Sequence, residues 1–325
     1  MSTATSDVTK PLDTIVGGPV PVKRRRRSKH RPAWEEPAGP VGLAVKGIAL
    51  TVVAGVVLIP LYSIVLTSMS SKATISAAGG MVFVPGEITF DAYVQLVNGG
   101  VVGRAALVSI GITVVGTIIS TIVSAMAAYG LSRPGTLWHR PILFVFLVTM
   151  FFGAGLIPTY LWVSNLGLIN SYWALILPGA VSAFNVLIMR NFFMGIDGGI
   201  LEAARIDGAS DARILWQIVM PISKAVTAVI ALFYGVGYWN AFFNAVLYIR
   251  DTEKWPLQMV LRAYVLQGQP IPGSGGTSVD VATGDIASLS VKMAVMVLAL
   301  VPVLVVYPFV QRHFTKGIIF GAIKG

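Results

Sequence analysis

Apolar residues in this chain fall in long unbroken blocks, not in the short alternations of a soluble domain. Residues 47–67 carry no charge and are long enough, as a helix, to cross the roughly 30 Å hydrocarbon layer of a bilayer. A second uncharged stretch covers 105–131. Residues 141–189 hold no charge at all, which is too long for one crossing. The polar break Ser164-Asn165-Leu166-Gly167-Leu168-Ile169-Asn170-Ser171 divides that stretch into spans of about 141–163 and 172–194. A fifth block covers 225–249, and a sixth span covers about 291–311, uncharged from Met293 to Gln311. The pattern predicts an all-α polytopic membrane protein with six transmembrane helices, in which Pro60, Pro178, Pro302 and Pro308 are kinks. Residues 1–40 are rich in Ser, Thr, Pro, Gly and charge without periodicity, so they are expected to form a disordered basic cytoplasmic tail. Residues 41–325 form the six-helix transmembrane domain.

Composition strengthens this picture. The chain is 55% apolar and 12% charged, with a mean hydropathy of +0.77. A soluble protein carries about 25% charged residues, so half the usual surface charge is missing. Lipid in place of water removes the need for it. With no cysteine, disulfides, thiol nucleophiles and thiolate metal sites are excluded. His30, His139 and His313 are too scattered for a His-rich metal cluster.

The placement of charge says more than its sum. Of the 24 Lys and Arg, eight lie in the first 31 residues, including the run Lys23-Arg24-Arg25-Arg26-Arg27. No aromatic residue is interleaved with that run, so it reads as a topology anchor, not a nucleic-acid patch. The apolar stretch after Lys46 is too long for a cleaved signal peptide. With the tail inside, inner segments hold 18 of the 24 basic residues and outer segments hold six: Lys72, Arg104, Arg250, Lys254, Arg262 and Lys292. Both termini are therefore expected in the cytoplasm. All fourteen Asp and Glu lie outside the six spans. Ion-coupled carriers keep an ionisable group in the membrane for the coupling ion, so energy for transport is expected from elsewhere.

Attention then falls on the inner loop 196–221, which reads as two short helices joined by a turn. Leu201, Ala204 and Ile206 are expected on one apolar face of the first helix. Gly208 can stop that helix at positive φ without strain, and Ser210 is placed to cap the second, with Asp211 in its first turn. Pro221 marks the start of the next membrane helix. The small Ala203 and Ala204 beside Glu202 suit close approach to a partner's groove; an amphipathic helix resting on the membrane surface fits the same residues.

The wording of the loop is more specific than its amphipathicity. Glu202-Ala203-Ala204, three residues, Gly208, and then Ile218-Val219-Met220-Pro221 resembles the EAA loop of ABC importer permeases. The form Glu202-Ala203-Ala204-Arg205-Ile206-Asp207-Gly208-Ala209 is similar to the carbohydrate branch. The resemblance extends over about residues 41–325. It includes Gly155-Leu156-Ile157-Pro158-Thr159-Tyr160, Trp173-Ala174-Leu175-Ile176-Leu177-Pro178, Met189-Arg190-Asn191-Phe192-Phe193 and Gly237-Tyr238-Trp239-Asn240-Ala241-Phe242-Phe243-Asn244. It continues to the ending Gly317-Ile318-Ile319-Phe320-Gly321-Ala322-Ile323-Lys324-Gly325. Trp216, Met220 and Ala225 depart from the common pattern, and the tail is longer than usual.

The resemblance implies the type I ABC importer permease fold in a bacterial plasma (inner) membrane. It also implies assembly with a second, different permease, a dimer of cytoplasmic ATPase subunits and an extracytoplasmic sugar-binding protein. Glu202, Ala203, Ala204, Asp207, Gly208 and Arg213 would couple to the ATPase. ATP and Mg would be bound by that partner, since this chain lacks a Gly-x-x-x-x-Gly-Lys-Ser/Thr loop and is not expected to be an enzyme. Asn185, Tyr238, Trp239, Asn240 and Asn244 are the candidates to line the sugar path, with Asn240 and Asn244 one turn apart on a helix. Trp and Tyr at membrane interfaces and Asn between helices are equally served by these positions. The outer stretches 70–103 and 250–290, the latter rich in Gly, Pro, Ser and Thr, are expected to meet the binding protein. An ion-independent secondary transporter or channel for a small polar solute is the competing reading, and the EAA wording discriminates against it.

Overall fold

Among the described residues the regular structure is helical, with one isolated antiparallel bridge between Ser70 and Ile88. The computed structural model describes residues 39–98, 100–133, 135, 138–263 and 286–321. Residues 1–38 of the predicted tail, most of the Gly-rich outer stretch and the last four residues lie outside them, while Pro40, expected in the tail, opens the first helix. Two compact units divide at residue 55. The described part of the first is the N-terminal half of helix α1 (Pro40–Ser68), solvent- or lipid-facing along its length.

The second unit, residues 56–325, begins with the rest of α1, whose end is fastened by side-chain bonds. Ser70 Oγ donates to the Leu66 carbonyl, and Thr67 Oγ1 accepts from the Val82 amide. Two short helices follow, α2 (Lys72–Ala77) and α3 (Asp91–Asn98), before the long α4 (Val101–Leu131). At 31 residues α4 is about 47 Å long, enough to cross a bilayer and project from it. Its buried face is built from small and hydroxyl residues, Ser109, Gly116, Ser120, Ser124, Ala125 and Ala128, which allow close helix packing in lipid.

The remaining predicted spans are broken. The third contains α5 (His139–Phe151) and α6 (Leu156–Asn165), which turn by 117° across residues 152–155, with Gly155 at φ +86°. The fourth contains α7 (Trp173–Ile176), a 3-10 turn at Leu177–Gly179 around Pro178, and α8 (Ala183–Met194), bent by 51°. The inner loop supplies α9 (Gly198–Ile206), α10 (Asp211–Ile214), a wider π turn at Leu215–Val219 and α11 (Met220–Ile222). The fifth span is α12 (Lys224–Trp239), an interruption at Asn240 and Ala241, and α13 (Phe242–Tyr248). A short α14 (Leu257–Leu261) precedes α15 (Ile286–Gly321), which carries Pro302 and Pro308. Three described helices are long and apolar enough to cross a membrane alone, and the count reaches six when each of three bent pairs is one span, the third being Asp211–Ile222 with Lys224–Trp239 at 89°.

Breaking a helix in lipid frees backbone groups that water cannot reach, so each break needs partners. Two tyrosines one turn apart on α12 provide them for the fourth span. Tyr238 Oη donates to the Ile176 carbonyl at 3.0 Å, and Tyr234 Oη accepts from the Ser182 amide at 2.9 Å. Both hydroxyls also meet α4, Tyr238 at Ser120 (2.7 Å) and Tyr234 at Ser124 (2.6 Å). This paired ladder joins α4, α12 and the α7–α8 break into one core.

Candidate functional site

The 196–221 loop is organised by its caps. Asp197 Oδ1 accepts from the Gly199 amide at 2.9 Å and starts α9. Gly208, at φ +77°, stops it, and the Ala209 amide donates to the Ala204 carbonyl at 2.9 Å across that turn. Ser210 Oγ then accepts from the Arg213 amide, capping α10. Ala204, Ile214, Leu215 and Val219 are buried in one core with Ala125, Ala128, Tyr129 and Leu131 of α4, Met189 and Phe193 of α8, and Val226 and Ile230 of α12. The loop is thus seated on the ends of three helices.

Two arginines secure the seat. Arg190 Nε donates to the Leu131 carbonyl at 2.7 Å, satisfying the frayed end of α4. Arg133 lies over the Tyr129 ring at 4.0 Å and pairs with Asp211, so the first turn of α10 is held to the end of α4. Facing outward are Glu202, Ala203, Arg205, Ile206, Asp207, Gly208 and Arg213. Ile206 is 86% exposed, which corrects its expected place on the inward apolar face. It stands five positions from Leu201 and two from Ala204, and neither spacing shares a helix face.

The residues expected along the sugar path take different environments in the fold. Asn185 is buried in α8. Tyr238 is half-buried and committed to Ser120 and Ile176, and Gly116 lies so close beneath its ring that an added Cβ would stand 2.8 Å from it. Trp239 is buried, and its Nε1 donates to the Ala299 carbonyl, one turn before Pro302. Asn240 is exposed at the end of α12, with Nδ2 donating to the Val236 carbonyl at 3.0 Å. Asn244 lies in α13 and is half-buried. The interruption at Asn240 and Ala241 therefore separates the two asparagines that a continuous helix would place on one face. Tyr234 and the α4 serines were not among the expected residues, although their four-residue spacings, 234 with 238 and 120 with 124, were available to find them.

Two features mark the end of this unit opposite the loop. Asn170, at φ +63°, donates its amide to the Tyr248 carbonyl at 2.7 Å. Its Oδ1 accepts from the Arg250 and Asp251 amides, and its carbonyl accepts from Lys254 Nζ. This knot joins the connection after α6 to the one after α13. Nearby, a cleft of about 480 Å³ opens beside the third-span break, lined by Ala154, Pro158, Thr159, Trp162, Leu177 and Pro178 among others.

A family model described as "Binding-protein-dependent transport system inner membrane component" matches residues 120–320. The polygalacturonan/rhamnogalacturonan transport system permease protein YtcP of Bacillus subtilis is 43% identical over 75% of this chain and 85% of its own. The protein LplC of the same organism is 40% identical over 84% of this chain and 91% of its own. The crystal structure of a bacterial ABC transporter involved in the import of the acidic polysaccharide alginate contains a chain with the same fold. That chain matches at a TM-score of 0.79 and 32% identity, over 86% of this chain and 99% of its own.

Proposed function

Because the chain belongs to the family of binding-protein-dependent transport system inner membrane components, we propose that it is one of two different permease subunits lining the path of an ATP-driven carbohydrate importer. It is a multi-pass membrane component of transport and not itself a catalyst. ATP and Mg are held by a separate pair of ATPase subunits. In this reading the 196–221 loop and both termini face the cytoplasm. The knot around Asn170 faces outward, toward a sugar-binding protein.

The observation that carries this reading is the two-sided build of the loop. One side is buried on α4, α8 and α12, while the other presents Glu202, Arg205, Ile206 and Asp207 to solution. An exposed isoleucine flanked by charges, on a turn anchored to three membrane helices, suits insertion into a groove of a partner. A push on that turn is transmitted to the helices through Ala204, Ile214 and Val219, since packed interiors move as units. Glu202→Lys or Gly208→Asp is expected to abolish sugar uptake while the chain remains in the membrane. Normal uptake by both variants overturns the coupling role.

The relatives support a narrower cargo class. Polygalacturonan is by its name a chain of galacturonic acid, and alginate is an acidic polysaccharide. We read the cargo here as oligosaccharides bearing uronic acids. The absence of Asp and Glu from all six spans supports it, because an acid-lined path would repel such a solute.

A further inference from the structure

The sequence places Arg262 in an outer loop, but the fold takes it into the membrane domain. Arg262 directly follows α14, whose Leu257 and Val260 are buried with Trp239, Val291, Ala294, Val295 and Ala299. The amide of Leu257 donates to Ser109 Oγ, in the third turn of α4, at 2.7 Å. The guanidinium carbon of Arg262 stands 5.0 Å from the centroid of the Phe242 ring. Phe242 opens α13, immediately after the interruption at Asn240 and Ala241. From there the seven residues of α13 cover about 10 Å to the rim at Asn170, Asp251 and Lys254. Arg262 is therefore a cation beside the unwound point of the fifth span, following a short helix packed against α12 and α15.

Two of the other five outer cations have carboxylate partners among the described residues, Arg104 with Glu253 at 3.6 Å and Lys254 with Asp251 at 3.8 Å. Arg262 has no such partner among the described residues, and the spans offer it none. A charge at membrane depth is costly and marks a solute or ion pathway. The Phe242 ring face attracts the guanidinium, whose N–H donors can bind a carboxylate in a two-pronged fashion. Asn240 is exposed at the same interruption and keeps Oδ1 as an acceptor for a hydroxyl.

We propose that Arg262, steadied by Phe242, receives the carboxylate of a uronic-acid-bearing oligosaccharide as it passes the fifth-span interruption. The proposal rests on the carbohydrate-import reading above. The test uses the complete transporter in proteoliposomes with its own binding protein, with trigalacturonate and the neutral galactotriose as probes. Transport and binding-protein-stimulated ATP hydrolysis are measured together, because hydrolysis reports an assembled and coupled complex. Arg262→Gln is expected to lower trigalacturonate transported per ATP by about tenfold or more, the effect of losing a charge-assisted hydrogen bond. Arg262→Lys should stay within about threefold of the unsubstituted protein, and Phe242→Leu should fall between. Unchanged transport by Arg262→Gln overturns the proposal. So does equal loss of transport and hydrolysis in both Arg262 variants, which is a packing role. Import of galactotriose with rejection of trigalacturonate overturns the anionic cargo and leaves the carbohydrate reading standing. Import of neither overturns both.

Discussion

Gly116 illustrates how little room the α4–α12 interface has. An added methyl would stand 2.8 Å from the Tyr238 ring, itself held by Ser120 and the Ile176 carbonyl, so neither side can yield cheaply. Gly116→Ala is expected to destabilise by about 1–3 kcal/mol, the usual range for overpacking. Tyr238→Phe keeps the ring but loses both hydroxyl bonds, to Ser120 and to the Ile176 carbonyl. Its cost is expected on the order of 1 kcal/mol, since interhelical bonds in membranes are individually modest. Thermal unfolding of the purified complex in detergent checks both, and an unchanged midpoint for Gly116→Ala counts against the interface as described. The small residues of α4 were legible in the sequence, but which one lies under a ring was not. That depends on the rotation of α12, which no local pattern specifies.

Among the elements, the loop from α9 to α11 was the most legible, because its turns are specified by local chemistry. Gly208 adopts positive φ and Ser210 caps α10, as their residue types predict. Among uncharged replacements Gly208 should therefore follow backbone preference: Gly208→Asn retains most uptake, and Gly208→Val loses most, at a strain of roughly 1–2 kcal/mol, whereas Gly208→Asp also adds a charge to the docking turn. Equal uptake in the two variants removes the conformational requirement. The link from Arg133 to Asp211 was not legible, since its partners are far apart in sequence. Asp211 is largely exposed, so Asp211→Asn should cost at most about 1 kcal/mol. Arg133→Ala also removes the stacking on Tyr129 and should loosen the loop further, read as faster proteolysis between α9 and α10. The helix breaks were partly legible. Pro178 and the glycines near residue 154 announce two of them, whereas the interruption at Asn240 and Ala241 carries neither residue type. A periodic reading joins α12 to α13 there.

For the whole molecule, the distribution of Lys and Arg makes a prediction that the cysteine-free sequence renders simple to test. In otherwise unmodified chains, Arg205→Cys is expected to react with an impermeant thiol reagent only from the cytoplasmic side. Arg250→Cys is expected to react only from the opposite side. Labelling of both from one side overturns the proposed topology. The assembly makes a further demand. Much of the apolar surface of α1, α4 and α5 is exposed in the isolated chain, and lipid or a second subunit must cover it. Purification of an active transporter without a second permease and an ATPase is the result that defeats the subunit reading.

By itself the sequence determined that this chain lives in lipid, how its basic residues are distributed about the spans, and which loop bears the EAA wording. Each of these depends on local composition or on residues a few positions apart, where helix geometry and transfer energy act without knowledge of the fold. Tertiary structure decided the rest. It sent Ile206 outward, committed Tyr238 and Trp239 to packing, parted Asn240 from Asn244, and carried Arg262 from an apparent outer loop to the side of Phe242. Those outcomes depend on where unwound backbone finds hydrogen-bond partners and where a short helix finds a buried surface, and both are set by contacts between segments far apart in the chain.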